Sequence, residues 1–108
     1  MAKILVIDSD PQMGKALSNH LSQHGFQAAS VLNGVDAAKL LNHDMPDLTI
    51  IDQDVSLTGI KTAQILRIKP ENMKMPILLG LKPGAPEHTR KILKSAMEGG
   101  VSWVIARP

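Results

Sequence analysis

A doubly wound α/β fold, in which a five-stranded parallel sheet carries helices on both faces, is what this sequence predicts, on three observations. Short, nearly continuous apolar runs such as Ile4-Leu5-Val6-Ile7, Leu48-Thr49-Ile50-Ile51 and Ile77-Leu78-Leu79 have the length and pattern of strands buried on both faces. Between them lie stretches of about 10 to 15 residues whose apolar positions recur at helical spacing, the mark of βαβ units. Glycine and proline punctuate the junctions, at Gly25, Pro46, Pro70, Lys82-Pro83-Gly84-Ala85-Pro86 and Gly99-Gly100. At 108 residues with 44% hydrophobic content, the chain can build one core and not two, so residues 1–108 are expected to form a single domain.

The elements follow in order. Lys3 to Ile7 is the first strand, and Asp10 then caps a helix that begins at Pro11, favoured placements for both residue types. That helix carries Met13, Ala16, Leu17 and Leu21 on one face and stops at Gly25. Phe26 to Ser30 forms a weak second strand, and Asn33 caps a helix containing Ala37, Ala38, Leu40 and Leu41. Pro46 ends the connection to the third strand, Leu48 to Ile51. A polar loop, Gln53 to Gly59, leads to a helix from Ile60 to Lys69, which Pro70 breaks. Pro76 to Leu81 is the fourth strand. A helix from Pro86 to Glu98 buries Thr89, Ile92, Leu93, Ala96 and Met97 and ends at Gly99-Gly100, before a fifth strand from Val101 to Ala106.

With right-handed crossovers this is a flavodoxin-like (βα)4β arrangement. Five strands with four helices leave part of one sheet face uncovered. A final helix is missing from the pattern, so the chain is expected to be the N-terminal part of a longer protein. The fifth strand and the helix before it are then expected to form a homodimer surface, since contiguous exposed apolar area usually marks an interface.

Composition excludes several functions. There is no cysteine, which removes disulfides, thiolate catalysis and zinc-thiolate sites. No apolar run approaches the roughly 20 residues needed to span a bilayer, and the N-terminus shows no signal-peptide pattern, so a cytoplasmic location with no membrane contact is expected. A net charge of +2 from 12 basic and 10 acidic residues, with one Phe and one Trp, argues against direct nucleic-acid binding. His20, His24, His43 and His88 share no metal-ligand spacing, although His20 and His24 lie four residues apart on a helix.

The acidic residues point to a site. Asp8 and Asp52 each end an apolar run, so two parallel strands would deliver both to one crevice at the sheet's C-terminal edge, where ligands bind in open α/β sheets. Asp10 and Asp54 stand two residues beyond them. Carboxylates so close repel one another unless a cation is present, and hard oxygen donors suit magnesium.

Ile4-Leu5-Val6-Ile7-Asp8-Ser9-Asp10-Pro11, Gly25-Phe26, Asn33-Gly34-Val35-Asp36-Ala37-Ala38, Pro46-Asp47-Leu48-Thr49-Ile50-Ile51-Asp52, Met75-Pro76-Ile77-Leu78-Leu79 and Ala106-Arg107-Pro108 occur in the order and spacing of a known family. Together they resemble the receiver domain of two-component response regulators, over essentially the whole chain. The resemblance implies a signalling domain, not an enzyme, that accepts a phosphoryl group on Asp52 from a histidine kinase or phosphotransfer protein and passes the signal to an output domain of the same chain. It implies a weakly held magnesium ion at Asp8, Asp10, Asp52 and the Asp54 backbone carbonyl, and Arg107 in the place of the family's lysine. The sequence departs from the family pattern at Ser9, where a second acidic ligand is expected, at Gly80 or Leu81, where a switch hydroxyl is expected, and at Val55-Ser56. Altered switching on Asp52 is one implication of these changes. A phosphorylation-independent interaction module is the other.

Overall fold

The computed structural model describes residues 2–52, 59–68, 74–81 and 86–106. Its elements alternate as β1 (Lys3–Ile7), α1 (Pro11–Gln23), β2 (Gln27–Val31), α2 (Gly34–Leu41), β3 (Leu48–Asp52), α3 (Gly59–Leu66), β4 (Ile77–Leu81), α4 (Pro86–Glu98) and β5 (Trp103–Ala106). The strands pair in the order β2-β1-β3-β4-β5, and every pairing is parallel. The flavodoxin-like architecture expected from the alternation is the one observed.

Two short clamps set the strand register. At the start of β1, the Asp47 carboxylate accepts from the Lys3 backbone N–H at 2.8 Å, and the Asp47 N–H donates to the Lys3 carbonyl at 2.8 Å. The Lys3 ammonium adds an ion pair to Asp44 at 2.6 Å, which holds its pKa above the ordinary lysine value. At the start of β4, the Ser102 N–H donates to the Ile77 carbonyl at 2.9 Å while the Ser102 hydroxyl accepts from the Ile77 N–H at 3.0 Å. β1 thereby pairs with β3 as Ile7 with Ile51, and β4 with β5 as Leu78 with Trp103.

Because side chains alternate along a strand, this register gives the sheet two faces. Leu5, Ile7, Ile51, Ile77 and Leu79 lie in one buried cluster with Ala37 and Leu41 of α2, Ala63 and Leu66 of α3, and Ala96 of α4. The buried Thr49 hydroxyl on this face donates to the Met75 sulfur at 3.3 Å. The ends of α3 and α4 are tied together by the Arg67 guanidinium, which donates to the Gly100 carbonyl at 2.9 and 3.1 Å and whose partial burial lowers its pKa. The opposite face is covered, among the described residues, by α1 alone. This asymmetry was expected from five strands and four helices.

Several boundaries and helix faces differ from the sequence reading, each for a physical reason. β2 begins at Gln27 instead of Phe26 because the Phe26 N–H donates to the Leu21 carbonyl at 3.1 Å and closes α1. β5 begins at Trp103 instead of Val101 because the Val101 N–H likewise closes α4, on the Ala96 carbonyl at 3.0 Å. β4 begins after Pro76, which has no N–H to pair. β3 extends one residue further, to Asp52. α3 ends at Leu66 instead of Lys69, since Arg67 and Ile68 already turn through tighter i→i+3 bonds; Lys69 lies outside the described residues. On α1, Gly14 and Ser18 are buried, whereas Met13 is 48% exposed and Ala16 is exposed too. On α4, Ala96 is buried as expected but Met97 is 71% exposed and Leu93 is exposed as well, because this helix end has one neighbouring layer to cover and not two. Leu40 of α2 is likewise exposed, and the side chain of Thr89 lies outside the described residues.

α1 closes with two reversed bonds, Phe26 N–H to Leu21 carbonyl and Gly25 N–H to Ser22 carbonyl, which require a left-handed residue at Gly25, where φ is +90°. A Cβ at Gly25 would meet no atom within 4 Å, so substitution there probes backbone strain alone. Gly25→Ala is expected to lower the unfolding free energy by about 1 kcal/mol, read as a smaller urea midpoint with an unchanged slope.

Candidate functional site

The site is assembled by the register of β1 with β3. Ile7 pairs with Ile51, so the next residues, Asp8 and Asp52, leave neighbouring strands side by side, with strand axes about 4.8 Å apart. Each is only 8% exposed. Asp8 is held from two directions: its N–H donates to the Val31 carbonyl at 3.0 Å, and its Oδ1 accepts from the Asp10 N–H at 2.9 Å. α1 packs close to it at the buried Gly14, where an added Cβ would make ordinary van der Waals contact, 3.5 Å from the Asp8 Cβ and 3.4 Å from that of Ser30.

Asp8 and Asp52 form the polar end of a cavity of about 360 Å³. Its remaining walls are Val6, Ile7, Ile50, Ile51, Gly80 and Ile105 of the sheet, and Met13, Ala16 and Leu17 of α1. Met13, Ala16 and Leu17, three of the four residues that the sequence placed on one face of α1, thus border this cavity. Ile105, 48% exposed, was not anticipated as a wall; the alternation Trp103, Ile105 in β5 was the signal that placed both on one face.

The other site expectations separate. Asp10 is exposed, and its Oδ1 accepts from the Gln12 and Met13 N–H groups at 3.0 and 3.3 Å, so it caps α1 and is absent from the cavity lining. Gly80 pairs with Asp52 across the sheet and lines the cavity, while Leu81 is buried beside Ala106. Neither brings a hydroxyl to Asp52. Asp54, Val55, Ser56 and Arg107 lie outside the described residues.

Two screened carboxylates on adjacent strands are hard oxygen donors of the kind that suits magnesium. They fit such an ion as a partial set, since among the described residues no group of three His, Cys, Asp or Glu side chains is arranged to hold a metal.

This geometry has a family. Residues 4–105 match the response regulator receiver domain. The chain belongs to that family. It is 30% identical over 104 residues to the phosphate regulon transcriptional regulatory protein PhoB of Rhizobium meliloti, covering 84% of this chain and 46% of that protein. The chain spans about half the length of the first curated relatives it matches. Among solved structures, the signal receiver domain of a signal transduction histidine kinase from Syntrophus aciditrophicus superposes with a TM-score of 0.85 at 26% identity, covering 100% of this chain and 80% of that one. The receiver domain of a sensor histidine kinase from Pseudomonas aeruginosa PAO1 has a TM-score of 0.82 at 18% identity, covers 99% of this chain and 85% of that one, and carries a magnesium ion coordinated in its active site cleft. The receiver fold, the five-stranded parallel sheet and membership in two-component signalling are therefore properties of this chain. Among the described residues no helix is long and apolar enough to cross a membrane.

Substitution separates the cap at Asp10 from any ligand role. Asp10→Ala is expected to cost about 1 kcal/mol of stability, whereas Asp10→Asn, an equally good cap, leaves the urea midpoint near that of the parent.

Proposed function

We propose that this receiver domain accepts a phosphoryl group on Asp52 from a histidine kinase or phosphotransfer protein, with switching altered at the residues that read the product. The observation that carries the reading is the placement of Asp52: last residue of β3, 8% exposed, beside Asp8 in one cavity of a receiver fold. A carboxylate oxygen of Asp52 attacks phosphorus, the new O–P bond forms as the donor's N–P bond breaks, and the leaving nitrogen takes a proton from solvent. β3 holds the nucleophile at a fixed position, and the Asp10 N–H holds the Asp8 carboxylate beside it. Positioning and charge neutralisation are what phosphoryl transfer asks of a protein. The Asp8 and Asp52 carboxylates, with the Asp54 carbonyl, are the ligands proposed for magnesium, which when bound supplies positive charge against the phosphoryl oxygens. Support for that assignment comes from the magnesium in the Pseudomonas aeruginosa neighbour. Arg107 is proposed to supply the cationic group that follows β5. The domain acts as a signal acceptor in the cytoplasm, not as an enzyme turning over a separate substrate, and an output domain joined to it on a longer chain carries the response.

Gly80 beside Asp52, and Leu81 after it, favour a second reading, in which the domain works as an interaction module independent of phosphorylation. Mass spectrometry separates the two. Incubation with acetyl phosphate and magnesium is expected to add one phosphoryl group slowly and incompletely, with the gain lost in Asp52→Asn and on chelation of the metal. No gain in the parent protein, or a gain that survives Asp52→Asn, rejects the first reading.

A second copy of the chain is the partner proposed for the uncovered face. Trp103, 58% exposed, stands with Ile105 on β5, which among the described residues is an edge strand of the sheet. Two-fold association through β5 and the neighbouring α4 buries this edge and the exposed Trp103. Light scattering across a concentration series is expected to show a dimer that Trp103→Glu dissociates; a monomer at hundreds of micromolar contradicts the proposal.

A further inference from the structure

At the far end of α1 from the carboxylates, His20 and His24 bring their rings to 4.5 Å between centroids, tilted by 50°. Both residues are exposed. His20 lies in the last turn of the helix, and His24 is its C-terminal cap. The His24 Nδ1 lies 3.0 Å from the His20 carbonyl oxygen. A carbonyl only accepts, so Nδ1 carries the hydrogen and the lone pair of the neutral ring is left on Nε2. This is the arrangement seen at metal-bound histidines, whose second ring nitrogen donates to a backbone carbonyl and so fixes tautomer and orientation.

We propose that His20 and His24 form a two-nitrogen chelate for a borderline divalent cation of the zinc or copper class. Imidazole nitrogens select such ions over magnesium, which takes oxygen donors. Zinc bonds to histidine nitrogen at about 2.0 to 2.1 Å, so both ligand nitrogens of one ion must stand within about 4 Å of each other; the rings already lie side by side with centroids 4.5 Å apart, and rotation of the exposed His20 side chain brings its nitrogen to an ion held at His24 Nε2. Water completes the coordination, which makes the ion exchangeable. The negative end of the helix dipole adds to the attraction. His20 stands nine residues after Pro11, so about 14 Å of helix separates this pair from the end of α1 that faces Asp8 and Asp52, and the two sites bind independently. A bound ion ties the last turn of α1 to its cap.

The test is calorimetric titration of the untagged chain with zinc chloride, beside its melting temperature with and without zinc. His20→Gln and His24→Gln are each expected to weaken zinc binding by about tenfold or more and to abolish the zinc-dependent rise in melting temperature. His43→Gln and His88→Gln leave both unchanged, as does excess magnesium. Unaltered zinc affinity in either His20→Gln or His24→Gln overturns the proposal. So does displacement of zinc by magnesium, which would put the ion at the carboxylates. Circular dichroism shows whether the variants keep the fold, as expected for two exposed side chains.

Discussion

The parallel register between β1 and β3 is the constraint on which the remaining structure depends. Strand side chains alternate between faces, so a slip of one residue would exchange the buried set Leu5, Ile7 and Ile51 for its neighbours and carry Asp8 away from Asp52. The reciprocal bonds between Asp47 and Lys3 act against that slip at the start of both strands. They sit at the opposite end of the sheet from the carboxylates, so the geometry of the site is set by groups that take no part in it.

The same register distributes the helices unevenly. Three of them seal one face around Ile7, Ile51, Ile77 and Leu79, and α1 lies against the other. The consequence is a cavity with two chemistries, an apolar wall of Val6, Ile50, Ile105 and α1 side chains leading to a pair of shielded carboxylates. Burial in low dielectric strengthens electrostatic interactions at that end of the cavity. The proposed magnesium and phosphoryl group would meet at this polar end.

In the proposed function, the response to a phosphoryl group depends on the neighbours of Asp52 as well as on Asp52 itself. Gly80 occupies the strand position paired with Asp52, and Leu81 is buried beside it. Neither can donate a hydrogen bond from its side chain, so a conformational response that relies on a hydroxyl moving toward a phosphoryl oxygen has no donor at these two positions. In the proposed phosphoacceptor reading, acceptance of the group and the reading of it are therefore separable. In that reading the first rests on β1 and β3, and the second involves Gly80 and Leu81 of β4.

Much of this was legible in the sequence because it rests on local rules. Apolar runs of strand length, the cap at Asp10 with Pro11, the cap at Asn33 and the stop at Gly25 act through backbone bonds a few residues apart, and the structure shows each of them. Asp8 and Asp52 were legible for the same reason, since each ends its own strand. Other features answer to the whole molecule. Whether Phe26 or Val101 joins a strand depended on which carbonyl reached its N–H first, and in both cases the preceding helix did. Whether Met13, Leu93 or Met97 is buried depended on how many layers lie over each face, which helical periodicity does not encode. The choice of Gly80 as the partner of Asp52 needed the register itself. The sequence by itself determined the elements, their order and the acidic pair, because short-range backbone chemistry suffices for these; the tertiary structure decided the faces, the cavity and the neighbours of Asp52, because each depends on residues distant in the chain coming to lie side by side.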